Sequence, residues 1–575
     1  MLILGISLNF HDSGAALVEN GRIVAAVNEE RFSRIKMDGS VPYQSIAYVL
    51  SSANVTEKDI DIIVFSDMSF GISRHLWFIR QQLERVWYSR FKYLKSFLKP
   101  STFDLGRLLK QVGFVGLCQS IRTEHGTKEI ISRFQKKGFV GKVKFVSHDR
   151  SHAAGAYYTS GMSDAFICII EGSSFKNTCS FWKGEGNTLT KVDEVSLPHS
   201  PGRYYEIVTL ILGFHPNRHG GKITGLAALG DHKICYKNVS DLLYMKNGKI
   251  HVGRELYALH DEYFALGKQI PKRFQKYSRE DIAAAFQKRL EDVIIEQIVY
   301  FSKKYSIENI ALSGGVVANV KLNMEIGRIP GVKQAFVYPG MSDIGQALGV
   351  ALSIQADYDS EFKPFVLKDV YLGPYFSDFE IESVLKKNNI SYKKSNNVGK
   401  DIGALLARDN VVACFQGRME YGPRSLGNRS ILYPATDSTV NDWLNKKLNR
   451  TEFMPFAPVT LSEDADKCYL ELEKFKLAAQ FMTVTLPVTS YMKEKMPAAV
   501  HVDDTARPQI IDRETNPVYY DALKEYKRLT GYPSIINTSF NMHEEPIVCT
   551  PTEALKAFKE SGLDSLAIGN YIVLK

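Results

Sequence analysis

The sequence predicts an α/β protein of two domains, and three observations carry that prediction. Apolar β-like runs at 2–8, 14–18, 22–27 and 61–66 are followed later by amphipathic helical patterns such as DIAAAFQKRLEDVIIEQIVYF within 281–305. At 575 residues the chain is too long for one hydrophobic core, so two or more domains are expected. Composition shifts at ADYDSEFKPFVLKDVYLGP, which reads as a linker over 356–370 between a domain 1–355 and a domain 371–575. Hydrophobic and charged contents of 45% and 23% are those of an ordinary soluble globular protein.

Charge and cysteine usage narrow the class. The formal net charge is +9. Seven cysteines, at 118, 168, 179, 235, 414, 468 and 549, form no CxxC pair. This argues against a zinc ribbon or a disulfide framework and fits a reducing compartment. The start, MLILGISLNFHDSG, lacks a basic n-region and reads as a first strand rather than a signal peptide. No apolar stretch is long enough to span a bilayer, so a cytoplasmic enzyme without a membrane partner is expected. Between Arg74 and Lys110 nine Lys/Arg face only Glu84 and Asp104, among Trp77, Phe78, Trp87, Tyr88, Phe91, Tyr93 and Phe97. Apolar residues at 76, 79, 83, 87, 94 and 98 approximate a helical stripe, giving an insertion over about 74–116. Two readings of it stay open: an amphipathic helix with its charges in water, or a basic, aromatic-lined arm for nucleic acid.

Taken in order, the chain opens with two strands flanking Asn9-Phe10-His11-Asp12-Ser13, a tight polar turn. His11 on residues alone is open between a satisfied loop histidine and a proton acceptor. Asn28-Glu29-Glu30-Arg31-Phe32 reads as a charged helix start. In VKFVSHDRSHAAGAYYTS, a strand leads into His148 and His152 on a helix. Spacing of i and i+4 puts both imidazoles on one face, where they can share a metal. GFHPNRHGGKITGLAALG at 213–230 supplies glycines and Lys222 before a small-residue helix, either a phosphate cradle or a packed turn. ENIALSGGVVANVKLN gives a strand, the turn Ser313-Gly314-Gly315 and a helix including Asn319, the pattern of an anion site at a helix N-terminus. Asp343 follows in YPGMSDIGQALG. No internal repeat stands out.

The C-terminal half is organised around Phe415–Pro458, FQGRMEYGPRSLGNRSIL through LNKKLNRTEFMPFAP. It sets Arg418, Arg424, Arg429, Lys446, Lys447 and Arg450 among glycines and prolines with few acids. Guanidinium forks suit phosphate oxygens, and their alternation with Phe415, Tyr421, Leu426, Ile431 and Leu432 threads the charge through a partly buried cleft. Downstream lie Arg507, and Asn537, Ser539 and Asn541 on a β-rich run.

FQGRMEYGPRSLGNRS closely resembles the signature of the O-carbamoyltransferases of the NodU/CmcH/TobZ type, of nodulation-factor and antibiotic biosynthesis. The resemblance runs from GISLNFHDSGAAL to INTSFNMHEEPIVCTP. It implies an actin-like, two-lobed N-terminal domain followed by a YrdC-like α/β domain. The C-terminal domain would let carbamoyl phosphate attack the α-phosphate of ATP, held with Mg2+, to form a carbamoyl adenylate. Arg418, Arg424, Lys446 or Lys447, Arg450 and Arg507 would grip phosphates, with Arg418 and Arg507 central to catalysis. Asn537, Ser539 and Asn541 would orient the carbamoyl and nucleotide groups. The N-terminal domain would hold nucleotide through Lys222, Gly314, Gly315, Asn319 and Asp343. His148, His152 and Asp343 would bind Fe(II) or a similar divalent metal. His11, as neutral imidazole, would take the proton of the acceptor hydroxyl. The sequence departs from the family where relatives carry an Asp-Gly-x-Gly-Glu-like turn: it reads Glu171-Gly172-Ser173-Ser174-Phe175. That puts acceptor contacts in doubt. The acceptor expected is a small-molecule or sugar hydroxyl, with a hydroxymethylated base in DNA as the alternative, and a homodimer is left open.

Overall fold

The computed structural model describes residues 1–9, 11–66, 114–172, 177–450 and 454–575. The basic aromatic segment 74–110 and the turn residues Ser173, Ser174 and Phe175 lie outside the described residues.

Strands β1 (Leu2–Ser7), β2 (Gly14–Glu19), β3 (Arg22–Asn28), β4 (Ile62–Ser66) and β5 (Lys142–Val146) form one sheet in the order β3-β2-β1-β4-β5. β1 is antiparallel to β2 and parallel to β4. Every residue of β1 is buried, which is why LILGIS is apolar on both faces. The helix Gln346–Tyr358 lies so close that a Cβ on Gly5 would sit 2.0 Å from the Ala347 carbonyl oxygen. Only glycine fits there.

A second sheet contains β6 (Asp164–Ile170), β7 (Asn177–Glu185) and β8 (Thr188–Ser196). After a small hairpin, β9 (Leu243–Lys246) and β10 (Lys249–Val252), it is completed by β11 (Asn309–Ser313) and β12 (Gln334–Val337). Its order is β12-β11-β6-β7-β8, with β6 antiparallel to β7 and parallel to β11. Strand for strand this repeats the first sheet in order and direction. The N-terminal half is therefore the duplicated sheet of an actin-like domain, a repeat in topology that the sequence conceals. The copies share a backbone path but not side chains, because each packs against different helices. The long helix Arg279–Ser302 covers the second sheet; Ser278 caps it by accepting from Asp281 N–H, and Glu280 and Asp281 lie in its first turn.

The C-terminal half is a mixed eight-stranded sheet. Its strands are β13 (Lys393–Lys394), β14 (Val412–Phe415), β15 (Arg429–Pro434), β16 (Ala457–Leu461), β19 (Gln509–Ile511), β20 (Ser534–Ser539), β21 (Ser565–Ile568) and β22 (Tyr571–Leu574). They run β13-β22-β21-β14-β15-β20-β16-β19, and a two-stranded pair, β17 (Leu486–Pro487) and β18 (Thr505–Ala506), stands beside them. Backbone and side-chain contacts weld the halves together. Thr485 N–H donates to the Val320 carbonyl (3.2 Å), Asn323 Nδ2 to the Thr483 carbonyl (2.8 Å), and Arg328 forks onto Glu471 at 2.9 and 3.0 Å. The segment expected to be a linker is pinned as well. Phe362, Leu367 and Val370 are buried, and Phe365 and Leu367 N–H donate to the carbonyls of Tyr158 and Thr159.

Candidate active site

Sequence spacing and tertiary packing meet at one point of the N-terminal half. The helix His148–Tyr158 begins directly after β5, so His148 and His152 emerge together, their ring centroids 4.9 Å apart. Asp343 sits on the turn after β12 and reaches both: its Oδ1 is 3.4 Å from His148 Nε2 and from His152 Nε2. The fourth member is Glu171, one residue past the end of β6. Its Oε2 is 2.9 Å from His148 Nε2 and its Oε1 is 3.1 Å from His152 Nε2. One ligand atom from each of the four residues lies within 4.8 Å of the others, the one such cluster among the described residues.

Glu171 corrects the sequence reading. The sequence reading leaves it out of the metal set of His148, His152 and Asp343; the structure stands it among the candidate ligands, because β6 lies at the centre of its sheet and ends beside β11. The departure from Asp was visible in the sequence, but the proximity was not. The donor set suits a divalent cation: two imidazole nitrogens and two carboxylates, all nearly sealed from solvent. His152 Nε2 is buried and faces only the two carboxylates, with Glu171 Oε1 at 3.1 Å and Asp343 Oδ1 at 3.4 Å, the orientation a metal-ligating nitrogen takes. Burial disfavours charged imidazoles here, yet the carboxylates outweigh it. Both histidines are raised, His152 to about 10 by Glu171 and Asp343.

His11 lies at the rim, half-exposed, with Nδ1 2.9 Å from Asp12 Oδ2 and Nε2 4.0 Å from Asp343 Oδ2. Its side chain was expected to be neutral. Burial favours that state, but the hydrogen bond to Asp12 and the charge of Asp343 overcome it and raise His11 to about 9. Asp12 is the larger source of that rise and Asp343 and Glu171 add to it, so a cation bound at the cluster would offset only the share of Asp343 and Glu171.

The glycine turn is already in use. Gly315 N–H donates to Glu171 Oε1 (2.8 Å) and Gly314 N–H to the Met341 carbonyl (2.6 Å). Asn319 caps the helix Val320–Gly327 by accepting from Leu322 N–H, and Gln287 donates to its Oδ1. Lys222 is buried on the helix Gly220–Ala227 with its ammonium 5.8 Å from the Phe214 ring centroid. Where this helix meets the C-terminal half there is a cavity of about 330 Å³. Its walls include Gln287, Glu291 and Lys321 from one half and His501, Asp503 and Arg507 from the other.

The arginines divide by role. Arg418 was expected to grip phosphate. Its Nη2 donates to the carbonyls of Leu372 (2.6 Å) and Val24 (3.1 Å), and its Nε to that of Gly373 (3.3 Å), so it staples the two halves. Arg429 is likewise consumed: fully buried over the Phe415 ring, it donates to the carbonyls of Gln416, Gly417, Asn428 and Pro374. The intervening loop wraps around Glu420, whose Oε1 accepts from the N–H groups of Leu426, Asn428 and Arg429 at 2.7, 2.8 and 3.1 Å. Arg424 and Arg507 are different. Neither has an acidic partner among the described residues; burial lowers both, and the Arg424 cation lowers Arg507 further. A buried guanidinium without a counter-charge is costly, which makes Arg424 and Arg507, like charges that feel one another, candidates for holding an anion. Arg450 gathers two of the expected residues and their neighbour Thr538: its guanidinium contacts Thr538 Oγ1 (2.7 Å), the Ser539 carbonyl (2.6 Å) and the Asn541 carbonyl (2.9 Å). Asn537 holds Gln509 Oε1 and the Ser425 carbonyl, leaving its own buried Oδ1 unpartnered. Lys446 is exposed, while Lys447 turns towards Asp564 at 3.7 Å. The EERF motif proves to be a clasp: Arg31 donates to the Gly422 carbonyl (2.8 Å), and Glu29 receives Ser45 N–H at the start of the helix Tyr43–Ser52.

Among the described residues no helix is long and apolar enough to cross a membrane. The family description Carbamoyltransferase N-terminus matches residues 2–352, and Carbamoyltransferase C-terminus matches residues 403–575. An uncharacterized protein of Synechocystis sp. is 33% identical over 625 residues, covering 100% of this chain and 96% of that protein. Nodulation protein NolNO of Sinorhizobium fredii is 31% identical over 572 residues, covering 98% of this chain and 79% of that protein. Among solved structures, full-length HypF in its phosphate- and nucleotide-bound form superposes with a TM-score of 0.35 and 12% identity, over 63% of this chain and 56% of that one. That superposition is too loose to add to the topology; the sequence matches span nearly the whole chain. The chain belongs to the carbamoyltransferase family and is an enzyme that transfers a carbamoyl group.

Proposed function

We propose that this enzyme uses one water to split carbamoyl phosphate into carbamate and phosphate, lets a carbamate oxygen attack the α-phosphate of ATP to form a carbamoyl adenylate with pyrophosphate leaving, and passes the carbamoyl group to a hydroxyl acceptor with AMP as the leaving group. The observation that carries the reading is the unpaired couple Arg424 and Arg507, with Arg507 opening into a cavity lined by both halves. A volume of about 330 Å³ suits a small nucleotide-like ligand. The two guanidinium groups neutralise charge developing on the phosphates, the main lever of adenylyl transfer. A mixed anhydride hydrolyses readily, so sharing one cavity between the halves protects it from water.

His148, His152, Glu171 and Asp343 would hold a divalent cation. Bound there, it would supply Lewis-acid charge for the transfer step. With the cluster's charge offset, Asp12 accepts from His11 Nδ1–H and leaves the Nε2 lone pair free to take the acceptor's proton. Mg2+ accompanies ATP in the first step. The acceptor is a small-molecule or sugar hydroxyl.

The test follows pyrophosphate release from ATP and carbamoyl phosphate, with mass spectrometry for a gained carbamoyl group across candidate alcohols, sugars and hydroxymethylated DNA. Arg507→Ala is expected to stop pyrophosphate release. His11→Asn is expected to leave it running while blocking product. Equal loss of both activities in His11→Asn would refute the division of labour, and carbamoylation of DNA alone would overturn the small-acceptor reading.

A further inference from the structure

We propose that the turn Ser313-Gly314-Gly315 positions the metal ligands, acting as their supporting shell. The inference rests on the cation reading given above. Ser313 is fully buried, with its Oγ 2.9 Å from His152 Nδ1 and 3.0 Å from the Met341 carbonyl. A hydroxyl has one proton, and a carbonyl can only accept. The proton therefore goes to Met341, and the hydroxyl lone pair takes Nδ1–H of His152. This fixes the tautomer and aims Nε2 into the cluster, towards Glu171 Oε1 at 3.1 Å and Asp343 Oδ1 at 3.4 Å.

Two residues on, Gly315 N–H holds Glu171 Oε1 at 2.8 Å while Oε2 faces His148. Between them, Gly314 N–H also donates to the Met341 carbonyl, anchoring the segment that delivers Asp343 two residues later. Gly314 has φ +103, and a Cβ there would lie 2.3 Å from the Ile170 carbonyl oxygen. The turn is thus pressed against the end of β6, from which Glu171 projects. Three consecutive residues set His152, the Asp343 loop and Glu171. A sequence that reads as a phosphate loop spends its donors on ligands.

The experiment titrates the full-length, metal-stripped protein with Co(II) against a competing chelator, recording visible absorption. Four proteins are compared: wild type, Ser313→Ala, Gly315→Pro and Gly315→Ala. Gly315 opens the 3-10 turn Gly315–Ala318, where proline is tolerated; Gly315→Pro removes the N–H and sets a ring carbon in its place against Glu171 Oε1, so the carboxylate loses its anchor and is displaced. Gly315→Ala keeps the N–H, and its Cβ meets open space. Expected is one equivalent bound by wild type, roughly 10- to 100-fold weaker binding with altered absorption in Ser313→Ala and Gly315→Pro, and Gly315→Ala close to wild type. Metal-free melting temperatures should stay unchanged. Wild-type affinity in both Ser313→Ala and Gly315→Pro, with wild type still binding one equivalent, overturns the supporting role and leaves the cation reading standing. Equal weakening in Gly315→Ala and Gly315→Pro overturns it too. Should Ser313→Ala melt early, the two Gly315 variants decide. Absence of Co(II) binding by wild type removes both readings.

Discussion

Glu291 offers a measurable consequence of the cavity's chemistry. It lies on the helix Arg279–Ser302, is buried, and accepts from Gln287 Nε2 at 2.8 Å. Burial raises its carboxyl to about 7; the Gln287 hydrogen bond works against that, and Glu325 adds to it. An acid whose folded value stands above its unfolded one contributes most below the unfolded value, and that contribution is lost as pH rises through about 7. Taking the ordinary value of 4.5 for the unfolded chain, ionisation costs about 1 kcal/mol at pH 5, about 2 at pH 6 and about 3 at pH 8. Glu291→Gln keeps the size and the Gln287 contact but cannot ionise. Paired denaturation of wild type and variant from pH 5 to pH 8 is the assay. The variant's advantage is expected to grow by roughly 2 kcal/mol across that range. A difference independent of pH, or one that shrinks as pH rises, would refute the burial argument.

Three other perturbations follow from the contacts. Replacing His148 and His152 together with Ala should remove bound metal from the purified enzyme; elemental analysis at full occupancy would sink the assignment. Arg418→Ala leaves interdomain carbonyls without donors and should cost about 1–3 kcal/mol of stability, read by denaturation. If it instead abolishes pyrophosphate release with stability intact, its assignment as a staple is wrong. Glu420→Ala strips three N–H groups of their acceptor and leaves buried Arg429 without its nearest negative charge, so the C-terminal half should lose several kcal/mol, on the order of 3. A melting temperature unchanged from wild type would contradict that.

Much of the architecture was legible in the sequence because it is local. The i, i+4 histidines needed only a helix, and the helix Arg279–Ser302 announced itself through periodicity and its Ser278 cap. The motifs FQGRMEYGPRSLGNRS and HDS carried the family. What the sequence could not decide is which donors each charged side chain finds. Arg418, Arg424, Arg429 and Arg450 look alike in the chain, yet two are exhausted on carbonyls, one gathers the Ser539–Asn541 run, and one is left facing Arg507. Hydrogen-bond partners more than a hundred residues apart, such as Gly315 N–H and Glu171, are set by strand order. The centre of the second sheet brings β6 beside β11, and that adjacency turns Glu171 from a departure in a motif into a member of the candidate metal site.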